Sequence, residues 1–193
     1  MAVLFVTEHP QHALEAFSVH AAGYLLKPVT GAALAAEVAW ALNGKSAPQA
    51  GAITIRTFGG FDVFVGEVPV HFKAAKSKEL LAYLVDRRGG SVTRAQAFAA
   101  LWEDRFYDRP MQKQLDVVIR RMRSSLQEAG AGQIFEMERG SLRVRPDLFS
   151  CDAYRFFEGD LDAVNAFSGE YMSAYSWASI TESFLTWKWR GGD

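Results

Sequence analysis

Five residues between positions 113 and 124 have the types and spacing to grip a polyanion: Lys113, Val117, Arg120, Arg121 and Ser124. At 3.6 residues per turn they share one face of a helix. Arginine offers paired donors to guanine edges and phosphates, valine suits a thymine methyl, and a helix fits the major groove of duplex DNA. Lys113 and Ser124 suit phosphates better than bases. The other face of the run carries Leu115, Val118, Ile119, Met122 and Leu126 at i, i+3, i+4, i+7 and i+11, an apolar stripe that asks for burial. An ordinary solvated core helix has the same two faces, so the surrounding elements decide between the readings.

Those elements read in a definite order. Ile53 to Phe72 alternates at Ile53/Ile55 and Phe61/Val63/Val65, with turn signals at Gly59-Gly60 and Gly66-Glu67, and predicts a small antiparallel sheet. Lys73 to Arg88 places Leu80, Leu81, Leu84 and Val85 at helical spacing and stops before Gly89-Gly90. Thr93 is a good N-cap for a second helix that buries Phe98, Leu101 and Trp102. A polar loop, Glu103 to Pro110, leads into the third helix, Met111 to Glu128, with proline at its start. Ile134–Glu138 and Leu142–Arg145 flank Arg139-Gly140-Ser141 and read as a β-hairpin. Strands, three helices and a terminal hairpin make a winged helix-turn-helix over residues 52–147. Arg139 at the hairpin tip has two places open to it, a minor groove or the phosphates beside it. Arg143 is exposed by strand period and is a second candidate for DNA contact.

The composition allows such a body. The chain has 193 residues, 49% of them hydrophobic and 13% aromatic, enough to bury a core and to favour two small units over one. Its net charge of −1 argues against a generic polyanion binder. The charge is segregated, however: residues 51–147 hold 16 Lys and Arg against 12 Asp and Glu, and residues 148–193 hold 3 against 7. The single cysteine, Cys151, permits no internal disulfide, and no Cys/His cluster has metal spacing, so neither metal nor cofactor is expected. His9, His12, His20 and His71 lack any partnered spacing, and no phosphate loop or nucleophile motif occurs, so no enzyme activity is expected. The apolar start, Ala2 to Val6, is too short to cross a membrane or to serve as a signal, so a cytoplasmic protein without a membrane partner is expected.

Residues 1–43 alternate strand, helix, strand, helix. Val3–Val6 and Tyr24–Leu26 read as strands buried on both faces; Leu14, Phe17 and Ala21, then Leu34, Val38 and Leu42, mark the helices. Residues 44–51 are a polar linker rich in Gly, Pro and Ser. Residues 148–193 form an aromatic tail that reads as helical, with Tyr154, Phe157 and Leu161, then Phe167, Tyr171 and Tyr175, as packing positions.

The run Leu115 to Leu126, L-D-V-V-I-R-R-M-R-S-S-L, closely resembles the recognition helix of the OmpR-type winged-helix output domain of bacterial response regulators. Thr7, Tyr24 and Lys27-Pro28 resemble the strand-end threonine, switch aromatic and active-site lysine-proline at the end of a receiver domain. The tail, with C-D-A-Y-R-F-F-E-G-D and F-S-G-E-Y-M-S-A-Y-S-W, resembles the start of a bacterial transcriptional activator domain. The resemblance implies an α+β fold: a winged helix-turn-helix core preceded by a partial α/β receiver fragment and followed by a short helical tail. It implies a sequence-specific, DNA-binding transcription regulator of a two-component phosphorelay, with double-stranded DNA as partner and a homodimer on DNA. It also implies that the loop carrying Arg105, Phe106, Tyr107 and Arg109 meets RNA polymerase. The acidic pocket and phosphoacceptor aspartate of the receiver have no counterpart among these residues, which leaves phosphorylation control without its chemical basis. A reading from another class is a protein-interaction module that uses the receiver remnant and the aromatic tail.

Overall fold

The computed structural model describes residues 3–9, 23–31, 33–34, 38 and 52–191. The chain divides into two units, Met1–Gln49 and Ala50–Asp193.

In the first unit β1 (Leu4–Thr7) and β2 (Gly23–Leu26) pair in parallel, Leu4 opposite Gly23 and Thr7 opposite Leu26. Leu34 and Val38 are helical, and the Thr30 hydroxyl accepts from Ala33 N at 3.2 Å, as an N-capping side chain does. The expected helix positions Leu14, Phe17, Ala21 and Leu42, and the linker 44–51, lie outside the described residues.

The second unit opens with three short strands, β3 (Ile53–Arg56), β4 (Asp62–Val65) and β5 (Val68–Pro69), joined antiparallel. Gly66, at a φ of 61°, supplies the left-handed residue that the β4–β5 turn needs. Three helices follow: α1 (Ala75–Asp86), α2 (Arg94–Leu101) and α3 (Arg109–Glu128). The short strand β6 (Val92–Thr93) precedes α2. After α3, β7 (Phe135–Glu138) and β8 (Ser141–Val144) form a hairpin whose inner strand also pairs with β6, giving the order β6-β8-β7. This is the winged helix-turn-helix that the element order predicts.

The tail departs from its sequence pattern. Ser150–Cys151 form β9, which adds to the first sheet parallel to β3, so that sheet runs β5-β4-β3-β9. Short helices α4 (Asp152–Phe157) and α5 (Leu161–Ala166) follow, and α6 (Ser179–Trp189) ends the described chain. The spacing of Phe167, Tyr171 and Tyr175 predicts a helix, yet these residues are not helical. Tyr171 instead bridges to Phe58, with Gly59 N bonded to Glu170 O at 2.9 Å and Met172 N to Thr57 O at 2.8 Å. Leu161, expected to pack, is exposed, whereas Phe167 and Tyr171 are buried.

The tail shares the core of the winged helix. Leu80 through Val85 of α1 are buried without interruption, which an ordinary amphipathic helix would not allow. One side of α1 meets the helical body, and the tail covers the other. Tyr154 Oη donates to Val85 O at 2.6 Å, and Asp86 accepts from Tyr171 Oη at 3.1 Å and Thr181 Oγ1 at 2.8 Å. The Trp177 ring meets Tyr83 edge-on at 5.2 Å. Across the sheet, the Asp152 carboxylate accepts from Thr57 N at 2.9 Å, Phe58 N at 3.1 Å and Thr57 Oγ1 at 2.5 Å. Charge-assisted bonds of this kind are stronger than neutral ones, and these pin the start of α4 to the end of β3.

Candidate nucleic-acid interface

The third helix is built to present one face. The Asp108 side chain accepts from Met111 N at 2.9 Å and Pro110 stands in the first turn, so one free N–H donor of the helix start has its acceptor and another is absent. Leu115, Val118, Ile119, Met122 and Leu126 are all buried, and Ser125 joins them. Ser77 Oγ of α1 donates to Val118 O at 3.1 Å, tying two helices together within the core. The opposite face holds Lys113, Arg120 and Arg121 exposed, with Val117 and Ser124 half-buried. The structure therefore brings these five predicted residues onto one side of one element.

Among the described residues, none of Lys113, Arg120, Arg121 or Arg123 has a carboxylate partner. Most cations elsewhere in this unit do: Lys73 pairs with Glu128 at 2.9 Å, Lys78 with Asp62 at 2.6 Å and Arg155 with Asp160 at 2.8 Å. The uncompensated charge is thus concentrated on α3. Arg123, exposed on the flank of the predicted face, belongs with this set and was not among the sequence candidates.

Two contacts hold the face in place. Thr93 and Gln96 form a capping box at the start of α2. Arg94, the next residue, reaches from α2 to the Asp116 carboxylate on α3. The hydrogen bond that Arg94 donates to Asp116 raises the Arg94 pKa above its ordinary value, against the opposing effect of burial, with Tyr107 adding to the rise. The pair joins the two helices of the helix-turn-helix, and helix spacing alone gives no sign of it.

The wing tip is a two-residue turn. Arg139 and Gly140 both have positive φ, 49° and 85°, the mirror-image turn geometry that suits tight hairpins. Arg139 projects from it with its side chain 93% exposed. Arg143 is exposed, as strand period predicts, but it is engaged: its Nε lies 2.7 Å from Glu136 Oε2. Arg145 bonds Asp147 at 2.9 Å, which raises the Arg145 pKa and lowers that of Asp147.

In the loop between α2 and α3, Arg105 and Phe106 are exposed, Phe106 to 89%, and Arg109, the first residue of α3, is exposed beside them. Tyr107 sits at the margin, its ring 4.9 Å from that of Phe98. From the tail, Ser176 Oγ donates to Glu103 Oε1 at 2.5 Å and tethers the start of the loop.

The receiver-like residues lie in the other unit. Lys27 N donates to Thr7 O at 2.8 Å, continuing the β1–β2 pairing by one step. Thr7 Oγ1 accepts from His9 N at 3.2 Å, and Lys27 Nζ lies 3.7 Å from Glu8 Oε1. The Tyr24 side chain is outside the described set. Among the described residues no group of His, Cys, Asp and Glu could hold a metal, and no helix is long and apolar enough to cross a membrane.

The fold is a winged helix-turn-helix that presents one basic face of its third helix. Residues 70–141, from the end of the first sheet to the wing turn, match the family model described as "Transcriptional regulatory protein, C terminal". Among solved structures, EmbR of Mycobacterium tuberculosis, in complex with a low-affinity phosphopeptide, aligns at 18% identity with a TM-score of 0.58, over 72% of this chain and 42% of that one. The chain thus spans less than half the length of that protein. DrrB, a response regulator and OmpR/PhoB homologue of Thermotoga maritima, aligns at 22% identity over 75% of this chain and 66% of that one, with a TM-score of 0.37. A search of curated proteins gives no match.

Proposed function

We propose that this chain is a sequence-specific DNA-binding transcription regulator of response-regulator type, acting in the cytoplasm and binding repeated half-sites as a homodimer. The observation that carries the reading is the face of α3: Lys113, Arg120 and Arg121 exposed and unpaired, directly opposite a fully buried stripe. A helix so anchored enters a major groove with its arginines toward base edges and its lysine toward phosphates. Arg139, projecting from the wing tip, is placed to reach the adjacent groove or its phosphates. The exposed Phe106, flanked by Arg105 and Arg109, supports the α2–α3 loop as the surface offered to RNA polymerase. Thr7, Tyr24 and Lys27 are proposed as remnants of a receiver's switch.

Selection of bound duplexes from a random-sequence pool tests this reading. The expected result is one enriched motif whose binding weakens steeply with salt. A pool that emerges unenriched would overturn it and leave the protein-interaction module as the function.

A further inference from the structure

The wing carries four charged side chains in one alternating row. Glu136 stands opposite Arg143 in the β7–β8 register, and Arg143 places Nε and Nη2 at 2.7 and 2.6 Å from its Oε2. The other oxygen of the same carboxylate lies 3.8 Å from Arg145 Nε, and Arg145 in turn bonds Asp147 at 2.9 Å. Leu142 and Val144, which alternate with the two arginines along β8, are buried, so the row occupies the water-facing side of the hairpin. Among the described residues, Lys113, Arg120, Arg121 and Arg123 of α3 have no carboxylate partner, whereas the two arginines of the β8 arm are already engaged by carboxylates.

We infer that Glu136 limits nonspecific DNA binding by occupying the position on Arg143 and Arg145 that a phosphate would take. The inference rests on the DNA-binding reading above. Binding without sequence preference is built from phosphate contacts, each of which releases counterions and adds to the salt dependence. An arginine that must leave a carboxylate to reach a phosphate exchanges one charged acceptor for another and gains little. An arginine that leaves only water gains the full contact. Glu136 thus keeps Arg143, and together with Asp147 also Arg145, from engaging phosphates, while the arginines of the α3 face stay available.

Salt titration of binding to a random-sequence duplex, with the full chain and its Glu136→Gln variant, tests this. The expected result is a slope of log affinity against log salt steeper by about one to two in the variant, the increment for one or two added phosphates, and roughly tenfold tighter binding at low salt. The urea midpoint should stay unchanged, because exposed ion pairs contribute little to stability. Glu138→Gln makes the same change of charge nearer the tip, where Glu138 Oε1 only grazes Arg139 at 4.0 Å, and should steepen the slope less. An unchanged or shallower slope for Glu136→Gln, or an equal effect of Glu138→Gln, overturns the inference while the DNA-binding reading stands. A wild-type chain that binds no duplex overturns both.

Discussion

Arg94, the first residue of α2, is bonded through its guanidinium to the carboxylate of Asp116, two turns into α3. The contact fixes the angle between the two helices of the helix-turn-helix at the level of the exposed face. Asp116 is 60% exposed, so the pair itself is worth no more than about 1 kcal/mol of stability.

A double-mutant cycle with Arg94→Ala and Asp116→Ala measures that coupling. Urea melts should give an interaction of about 0.2–1 kcal/mol, with a larger effect on affinity for the selected operator than on stability. A coupling near zero in both readouts would show that the pair braces nothing.

Arg121→Ala should weaken binding to the selected sequence by about 1–3 kcal/mol and relax preference at one base position. Lys113→Ala should weaken all duplexes alike and reduce the salt slope by about one unit. Equal losses on specific and random DNA for Arg121→Ala would assign that arginine to phosphates.

Asp86→Ala leaves the hydroxyls of Tyr171 and Thr181 without their shared acceptor, and Tyr171 is nearly fully buried. An unsatisfied buried polar group costs about 1–3 kcal/mol, so the urea midpoint should fall accordingly. Tyr171→Phe, which removes only the donor, should cost less. If Asp86→Ala melted like the wild type, the tail would not be anchored through this carboxylate.

Burial pushes the Cys151 thiol up to about 12, with the Asp152 carboxylate adding to the rise. A thiol so protonated is a poor nucleophile. Labelling by an aromatic disulfide at pH 8 should therefore wait for unfolding and follow the urea transition. Fast labelling of the native chain would contradict the burial of β9.

The folded-state pKa of Asp160 is lowered: burial pushes it up, but Ala163 N and the Arg155 guanidinium, at 3.0 and 2.8 Å, outweigh that. A depressed carboxylate stabilises the fold above its unfolded pKa and loses that contribution as pH falls, here from about pH 4 downward. Asp160→Asn should flatten the acid limb of the stability profile, and an unaltered limb would exclude the linkage.

How much the sequence discloses depends on the range of each interaction. The inward stripe of α3 is legible because helical spacing alone sorts Leu115 to Leu126 from Lys113 to Ser124, and the Thr93 cap because its partner Gln96 is three residues away. The wing turn is legible from Arg139-Gly140. By contrast β9 has two residues, too few to show a period, and its partner β3 lies almost a hundred positions back. The Asp152 tether and the cover over Tyr83 depend on that same distant pairing, so the tail reads as helix where it is extended. The Glu136–Arg143 row needs the hairpin register, and the Arg94–Asp116 brace needs the angle between two helices. Neither is encoded in local pattern.

The two-residue strand β9 also closes the margin of the first sheet beside β3. Clipping the chain behind the wing, near residue 147, would bare a row of amide and carbonyl groups next to Ile53 and Ile55 and uncover the outer flank of α1. Such a shortened protein would offer a ready template to its own kind, and should precipitate or pair through that open border even with every residue of the α3 face intact.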